Sequence, residues 1–223
     1  MEGHERIRLG KMIHPVRGFM HGTAAVVALI GAILLAVLSD GRSVDRLALL
    51  IFGLSMVALF TVSALYHSVP WQEKAKQLMR RLDHTMIHVL IAGSFTPIAI
   101  IVFDGWLQWA TLGGQWGVVL IGAIQKFGFP DGTGSLSVAL TTSQGWLALL
   151  IVYPMATHLP APAVVLYLVG GVLYTIGMVF LVTNRPRLWP RIFSYHEVFH
   201  ILVVTAAALH YAAAAEYIAN YAA

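Results

Sequence analysis

Five polar side chains lie at the ends of long apolar segments and have the residue types that bind or activate a metal ion. His196 and His200 are four residues apart, and Ser63 precedes His67 by the same interval. Residues four apart share one face of a helix, so each pair can present its side chains to one point. Asp83 lies where the next apolar segment begins. Polar residues in such surroundings are costly, and they indicate a functional site.

These residue types suggest a bound metal ion with one coordination position open. Three neutral imidazoles leave one tetrahedral position of a zinc ion free, which is the pattern of catalytic rather than structural zinc. Zinc makes hydroxide available from water near neutral pH. A carboxylate such as Asp83 could hold this water and accept its proton.

Each residue also has a simpler explanation when it is taken alone. The histidine pair could form interhelical hydrogen bonds, and Ser63 could bond to its own helix backbone. Asp83 could be a helix N-cap or form an ion pair with Arg80 or Arg81. The metal site is favoured because these residues come together at one depth of the predicted membrane bundle.

The composition is that of an integral membrane protein. The chain has 223 residues, of which 58% are hydrophobic and 11% are charged, whereas a soluble domain carries about 25% charged residues. We expect a cytoplasmic arm at 1–17 and a single membrane domain at 18–223. Cysteine is absent, which excludes disulfides and cysteine-ligated zinc. The net charge of +4 does not indicate nucleic-acid binding, because the basic residues lie in short loops and indicate topology instead.

Seven segments approach the roughly 20 apolar residues that a membrane-spanning helix needs. We therefore predict an all-α, seven-transmembrane helix bundle. The fourth segment is less apolar because it carries glutamines and glycines, and the fifth is the weakest because of the polar patch 141–144. The predicted segments are 18–38, 47–67, 84–103, 106–124, 137–157, 163–183 and 196–217.

The distribution of basic residues predicts the orientation of these segments. With seven spans, only Arg42 and Arg46 of the 14 lysines and arginines fall on one side, where Asp40 and Asp45 offset them. The positive-inside rule then places the N-terminus in the cytoplasm and the C-terminus outside. Without the fifth span this asymmetry would be lost, which favours seven spans over six. We expect a multi-pass protein of the cell membrane, which in a bacterium is the inner membrane.

The predicted topology brings the chemical residues to the cytoplasmic end. His67 ends the second span, Asp83 begins the third, and His196 and His200 begin the seventh. Glu197, between the two histidines, points away from their shared face. We expect it to be solvated at the membrane interface, with a role beside the metal as the less favoured alternative.

Five stretches of the sequence, in this order, carry a resemblance to a known family. They are SALYH at 63–67, RLDHTMIHVLIAGSFTPI at 81–98, GQWGVVLIGAIQK at 114–126 (the weakest match), GGVLYTIGMVF at 170–180 and HEVFHILVVTAAALHY at 196–211. The chain resembles the hemolysin III family, the bacterial branch of the progestin and adipoQ receptor proteins, with the alkaline ceramidases as distant relatives. The resemblance covers nearly the whole chain from His21 onward.

The resemblance implies a specific site. It implies seven transmembrane helices with a cytoplasmic N-terminus and a zinc ion held near that side by three histidines, which carry over to His67, His196 and His200. The family's aspartate beside the zinc water matches Asp83, and its serine one turn before the first ligand matches Ser63.

One position departs from the family's pattern. His88 stands where an aromatic residue such as tyrosine is expected, and with His84 it forms a second pair four residues apart. We expect His84 to form hydrogen bonds beside the metal site and His88 to be packed or to face the lumen. His21, near the start of the first span, could line the same vestibule.

These observations lead to three hypotheses of function. The first is a zinc-dependent hydrolase of a lipid amide or ester that enters from the bilayer, with Zn²⁺ as cofactor. In it Asp83 manages the proton, and Ser63 stabilises the oxyanion or positions the water. The second is a pore-forming cytolysin, the activity behind the family's name, although the spans lack the polar stripe of a channel. The third is a membrane sensor or receptor with structural zinc, which the short outer loops do not favour. Membrane lipid is the expected partner.

Overall fold

The computed structural model describes residues 8–129, 134–189 and 192–221, and this part of the chain is almost entirely helical. Residues 1–7 of the predicted arm and Arg191 of a predicted basic loop lie outside the described residues. Two helices end in a π-helical turn, α3 at Ile98–Val102 and α8 at Ala214–Ile218. The helices are α1 Pro15–Leu38, α2 Ser43–Ser68, α3 Glu73–Pro97, α4 Gly105–Gly128, α5 Gly134–Trp146, α6 Ala148–His158, α7 Ala161–Thr183 and α8 Tyr195–Ala213.

Six of the described helical units are long and apolar enough to cross a membrane: α1, α2, α3, α5 together with α6, α7 and α8. Helix α4 is less apolar because it carries glutamines and glycines, as its sequence predicted. Its 24 residues make it about 36 Å long, which exceeds a hydrocarbon core of about 30 Å. All seven predicted spans therefore correspond to helices, and the prediction of an all-α membrane bundle is confirmed.

Helices α1 and α8 run parallel to each other in a constant register. Three hydrogen bonds join the elements at the start, middle and end of this pair, and the partners are always 180 residues apart: Arg17 with Glu197, Gly31 with Tyr211, and Ser39 with Ala219. If two membrane-spanning helices run in the same direction, the chain between them must cross the membrane an odd number of times. The five units α2, α3, α4, α5–α6 and α7 satisfy this condition, whereas four would not. The register thus supports seven spans independently of hydropathy.

Helix α3 begins earlier than its apolar pattern predicted. The residues before 84 were expected to form a loop, but the helix begins at Glu73 and Asp83 lies ten residues further along it. Glu73 in the first turn is favourable at a helix N-terminus, and lysine and arginine are good helix formers. The prediction that Asp83 begins a helix is therefore wrong. The basic residues of the expected loop that α3 includes are Lys74, Lys76, Arg80 and Arg81.

Small residues bring α1, α2 and α3 close together. A Cβ added at Gly53 would lie 2.4 Å from the Cβ of Ala32, and one at Gly93 would lie 2.3 Å from the hydroxyl oxygen of Ser55. Such contacts are usual between helices in membranes, where close backbone approach provides much of the attraction. The π-helical turn of α3 follows directly after Pro97, whose ring prevents the ordinary helical hydrogen bond. Helix α2 therefore packs closely against both α1 and α3.

Candidate metal centre

Three histidine side chains converge at the end of the bundle where α1, α3 and α8 begin and α2 ends, which we call the basic end. His67 is the penultimate residue of α2, whereas His196 and His200 belong to the first two turns of α8. One ring nitrogen from each histidine lies within 4.8 Å of those from the other two. We call these three side chains the histidine cluster.

The sequence at the start of α8 orients two of the three histidines. Ser194 and Glu197 form a capping box, in which the Ser194 N–H donates to Glu197 Oε2 at 2.8 Å. A capping box fixes the first turn because it provides partners for backbone groups that the helix leaves unpaired. His196 lies inside this turn, and His200 follows one turn later on the same face.

The histidine cluster fits a metal ion. The ring centroids of His67, His196 and His200 are 4.9 to 5.0 Å apart. His200 Nδ1 is buried and has no hydrogen-bond partner among the described residues. A buried polar atom without a partner costs free energy, which a bound ligand can offset. Three neutral nitrogen donors suit zinc, and they also accept other divalent transition metals.

Asp83 and Ser63 lie beside the histidine cluster and contact each other. Both are buried, and the Ser63 side chain is a hydrogen-bonding neighbour of the Asp83 carboxyl group. Ser63 stands one turn before His67 on α2, on the same face. The N-cap explanation for Asp83 is wrong, because Gln72 occupies the N-cap of α3.

A single cavity of about 590 Å³ joins all five predicted site residues to the interior of the bundle. Beyond the histidine cluster its walls come from α2, α3, α5, α6, α7 and α8 and are largely apolar. His210 marks its far end, ten residues and about 15 Å along α8 from His200. The Nε2 atom of His210 bonds to the carbonyl oxygen of Tyr167 at 3.1 Å, so His210 belongs to the packing of the far end. The apolar residues that line the cavity on α5, α6 and α7 include Trp146, Leu149, Val152, Leu168, Val172 and Ile176.

Several of these wall residues are well exposed. Trp146 is 50% exposed, Leu149 52% and Val172 56%. The cavity is therefore partly open, and exposed apolar residues of α5, α6 and α7 lie along it.

Helix α1 contributes two side chains to this end of the bundle, of which His21 lines the cavity as expected and Arg17 has a role that the sequence did not reveal. The ring centroid of His21 lies 4.0 Å from that of His200, and the His21 side chain is buried. Arg17, interpreted above as a topology signal, donates from Nε to Glu197 Oε1 at 2.7 Å. The four-residue spacing of Arg17 and His21 is the signal that could have identified this face of α1.

The prediction that Glu197 is solvated is wrong. Its side chain is 1% exposed because Arg17 reaches it from α1 and neutralises its charge inside the protein. Buried charges are tolerated when they are paired and hydrogen-bonded. The motif Ser194-Tyr195-His196-Glu197 contains the serine and glutamate spacing of a capping box, which could have indicated that Glu197 turns back toward the helix start.

His88 belongs to a different cluster, formed by α3, α4 and α5. Its Nδ1 donates to Gln144 Oε1 at 2.6 Å, and its Nε2 lies 3.4 Å from the Thr141 hydroxyl oxygen. The Gln144 amide donates to the carbonyl oxygens of His88 and Gln115 at 3.0 and 3.2 Å. We call these four residues the amide cluster. It explains why the fifth span carries a polar patch, and His88 is packed as expected. His84 is half-buried and lines the cavity.

Comparison with known proteins agrees with this architecture. The family model described as "Haemolysin-III related" matches residues 12–211. The chain is 30% identical to Hemolysin-3 of Bacillus cereus over 191 residues, which are 85% of this chain and 84% of that protein. It is 30% identical to the Hemolysin-3 homolog of Bacillus subtilis (strain 168) over 186 residues, 82% and 84% of the two chains. It is 26% identical to the human monocyte to macrophage differentiation factor over 217 residues, 92% and 84% of the two chains.

Proposed function

The chain belongs to the haemolysin-III related family, and from this premise we propose that it is a zinc-dependent hydrolase of a lipid amide or ester in the cell membrane. The arrangement of four side chains carries this proposal. Three histidine nitrogens within 4.8 Å of each other share an apolar cavity with a buried carboxyl group. The basic end faces the cytoplasm in this proposal.

The residues of the site have complementary chemical roles. His67, His196 and His200 would hold the ion, which would supply a Lewis acid for water or a carbonyl oxygen. Asp83 accepts a proton from water in the cavity and returns it to the leaving amine or alcohol. The single hydroxyl proton of Ser63 is donated either to the Asp83 carboxylate, which it orients, or to the developing oxyanion.

The cavity supports a lipid as the substrate. Its volume of about 590 Å³ lies within the range of ligand pockets, roughly 300 to 1,000 Å³. Its apolar walls can hold an acyl chain, and its partly open side along α5, α6 and α7 gives access from the bilayer. The polar headgroup would remain near the histidine cluster at the basic end. A carbonyl group at the junction of chain and headgroup would then lie beside Asp83.

The test is hydrolysis by the purified protein in detergent and in liposomes. A panel of ceramides and phospholipids is incubated with protein that has been treated with a chelator, and with the same protein after zinc is restored. We expect fatty acid release from at least one lipid, abolished by the chelator and restored by zinc. The variant Arg42→Gln, which changes an exposed side chain at the opposite end of α2, serves as the control and should retain the activity. No metal-dependent release from any lipid of the panel would refute the proposal.

A pore-forming activity is the second function to consider, because two relatives carry the name hemolysin. The most polar stretch of the fifth span could have lined a channel. In the structure its side chains Thr141 and Gln144 are buried and bonded to His88 and Gln115 within the amide cluster. We therefore expect no ion flux through liposomes that contain the protein. Flux that persists in His67→Ala would favour the pore.

A further inference from the structure

We propose that the buried ion pair between Arg17 and Glu197 positions the metal ligands of α8, so that both are positioning residues of the histidine cluster. This inference rests on the metal site of the proposed function. It does not depend on which lipid, if any, is hydrolysed.

The ion pair is short and shielded from solvent. The Nε atom of Arg17 donates to Glu197 Oε1 at 2.7 Å, and the two side chains are 7% and 1% exposed. A charge-assisted hydrogen bond in such surroundings is stronger and more directional than one at the surface. It therefore fixes the distance and the relative rotation of the two helix starts.

Glu197 connects this ion pair to the ligands themselves. It follows His196 directly and precedes His200 by three residues. While Oε1 accepts from Arg17, Oε2 accepts from the backbone N–H of Ser194 at 2.8 Å. One carboxylate thus joins the first turn of α8 to α1. A rotation of this turn that carries Glu197 away from α1 breaks the bond to Arg17, whereas the bond to Ser194 lies within the turn and keeps the Glu197 side chain in place.

Helix α1 is also attached to the helix that carries the third ligand. The N–H of Ile13 donates to the carbonyl oxygen of Ser68 at 3.2 Å, and Ser68 is the neighbour of His67. Gly18 lies so close to Ser68 that a Cβ there would overlap the serine hydroxyl oxygen. The start of α1 therefore bridges the end of α2 and the start of α8, which are the two elements that supply the histidines.

Small movements at this junction matter because zinc binds nitrogen at about 2.0 to 2.1 Å. Three ligands from two helices bind tightly only if their separation is held near that geometry. Groups that orient metal ligands typically change metal affinity by about 10- to 100-fold when they are removed. We expect the Arg17–Glu197 pair to have an effect in this range.

The experiment measures metal binding in purified full-length protein with the double variant Arg17→Met/Glu197→Gln. Changing both partners avoids an unpaired buried charge, and glutamine retains an oxygen that can accept from Ser194. Zinc affinity is measured by competition with a chelating dye, and Co²⁺ absorption reports the geometry. We expect the zinc Kd to rise by about 10- to 100-fold and the Co²⁺ bands to shift. Arg17→Lys, which keeps the charge and loses the directional Nε bond, should show the same change to a smaller degree.

The matched control is Arg42→Met/Asp45→Gln, which removes the ion pair at the opposite end of α2. Its zinc Kd and Co²⁺ spectrum should equal those of the wild type. The inference is overturned if both Arg17 variants bind zinc with the wild-type Kd and spectrum, or if the control weakens binding equally. A wild-type protein that binds no zinc would instead refute the metal site of the proposed function, and this inference with it.

Discussion

The histidine cluster and the amide cluster are both buried and both contain a histidine from a pair spaced four residues apart, yet their hydrogen bonds differ. In the amide cluster, His88 has a polar neighbour at each ring nitrogen and at its carbonyl oxygen. In the histidine cluster, Nδ1 of His200 has no partner among the described residues. Nearly all buried polar atoms in proteins are paired, so the exceptions need an explanation.

The comparison separates a structural role from a ligand-binding role. The hydrogen bonds of His88 and Gln144 stabilise the contacts among α3, α4 and α5, although Gln115 Oε1 in the same cluster has no partner among the described residues. A cluster of three histidines in which a buried ring nitrogen, His200 Nδ1, has no partner among the described residues suits a bound cation. Spacing alone did not distinguish His88 from His200, because both belong to pairs four residues apart. The two histidines differ in the polar side chains that neighbouring helices place beside their rings.

The largest expected effect is on catalysis at the histidine cluster. Asp83→Asn keeps the size of the side chain and removes its ability to accept a proton. We expect the rate of lipid hydrolysis to fall by about 10² to 10⁴-fold while the zinc content is unchanged. Initial rates and metal content are measured on the same preparation. Full activity in this variant would show that Asp83 has no role in proton transfer.

The second largest expected effect is the loss of thermal stability when zinc is removed, which should distinguish the two clusters. If free zinc exceeds its Kd by roughly 1,000-fold, binding stabilises the folded protein by about 4 kcal/mol. Chelation should therefore lower the melting temperature of the wild type and of Gln144→Leu, whose change lies in the amide cluster. His67→Ala should show no such response to chelation. A response that is equal in all three proteins would mean that the chelator acts elsewhere.

Gln144→Leu should itself destabilise the protein by a smaller amount. The substitution leaves Nδ1 of His88 and the carbonyl oxygen of Gln115 without the partner that Gln144 provides. Leaving a buried polar group unpaired costs about 1 to 3 kcal/mol. We expect a lower melting temperature in the metal-free state and an unchanged zinc content. Loss of zinc in this variant would contradict the separation of the two clusters.

The smallest expected effect concerns the packing of the His88 ring. A Cβ at Gly122 would lie 2.8 Å from that ring, whereas one at Gly113 in the same helix meets nothing within 4 Å. We expect Gly122→Ala to destabilise the protein by about 1 kcal/mol or more through overpacking. Gly113→Ala should be neutral or should stabilise it by a few tenths of a kcal/mol or more. Melting curves of the two variants measure the difference, and identical curves would show that Gly122 is not needed for His88.

The sequence predicted those parts of the site that depend on residues four apart in one helix and on the direction in which each span runs. His67, His196 and His200 meet because the second span ends and the last span begins at the same end of the bundle. Ser63 follows from its four-residue distance to His67. The structure brings these residues together, and their roles as ligand or catalytic group stay predictions until metal and activity are measured.

The parts that the sequence did not predict depend on how each helix is rotated about its axis. Helix α1 is apolar almost all round, and such a helix has no stripe that indicates which face turns inward. The pairing of Arg17 with Glu197 across 180 residues could therefore not be inferred from either segment alone. The early start of α3 was missed for another reason, since its first turns are polar and hydropathy detects only the membrane-embedded part.

Metal analysis of the purified protein tests the central claim most directly. The wild type and Gln144→Leu should each contain about one zinc per chain, and His196→Ala/His200→Ala should contain almost none, because a site with one remaining histidine cannot hold the ion. Less than about half an equivalent in the wild type, after zinc has been supplied during purification, would contradict the claim. Full occupancy in the double variant would contradict it equally, because the metal would then be bound elsewhere.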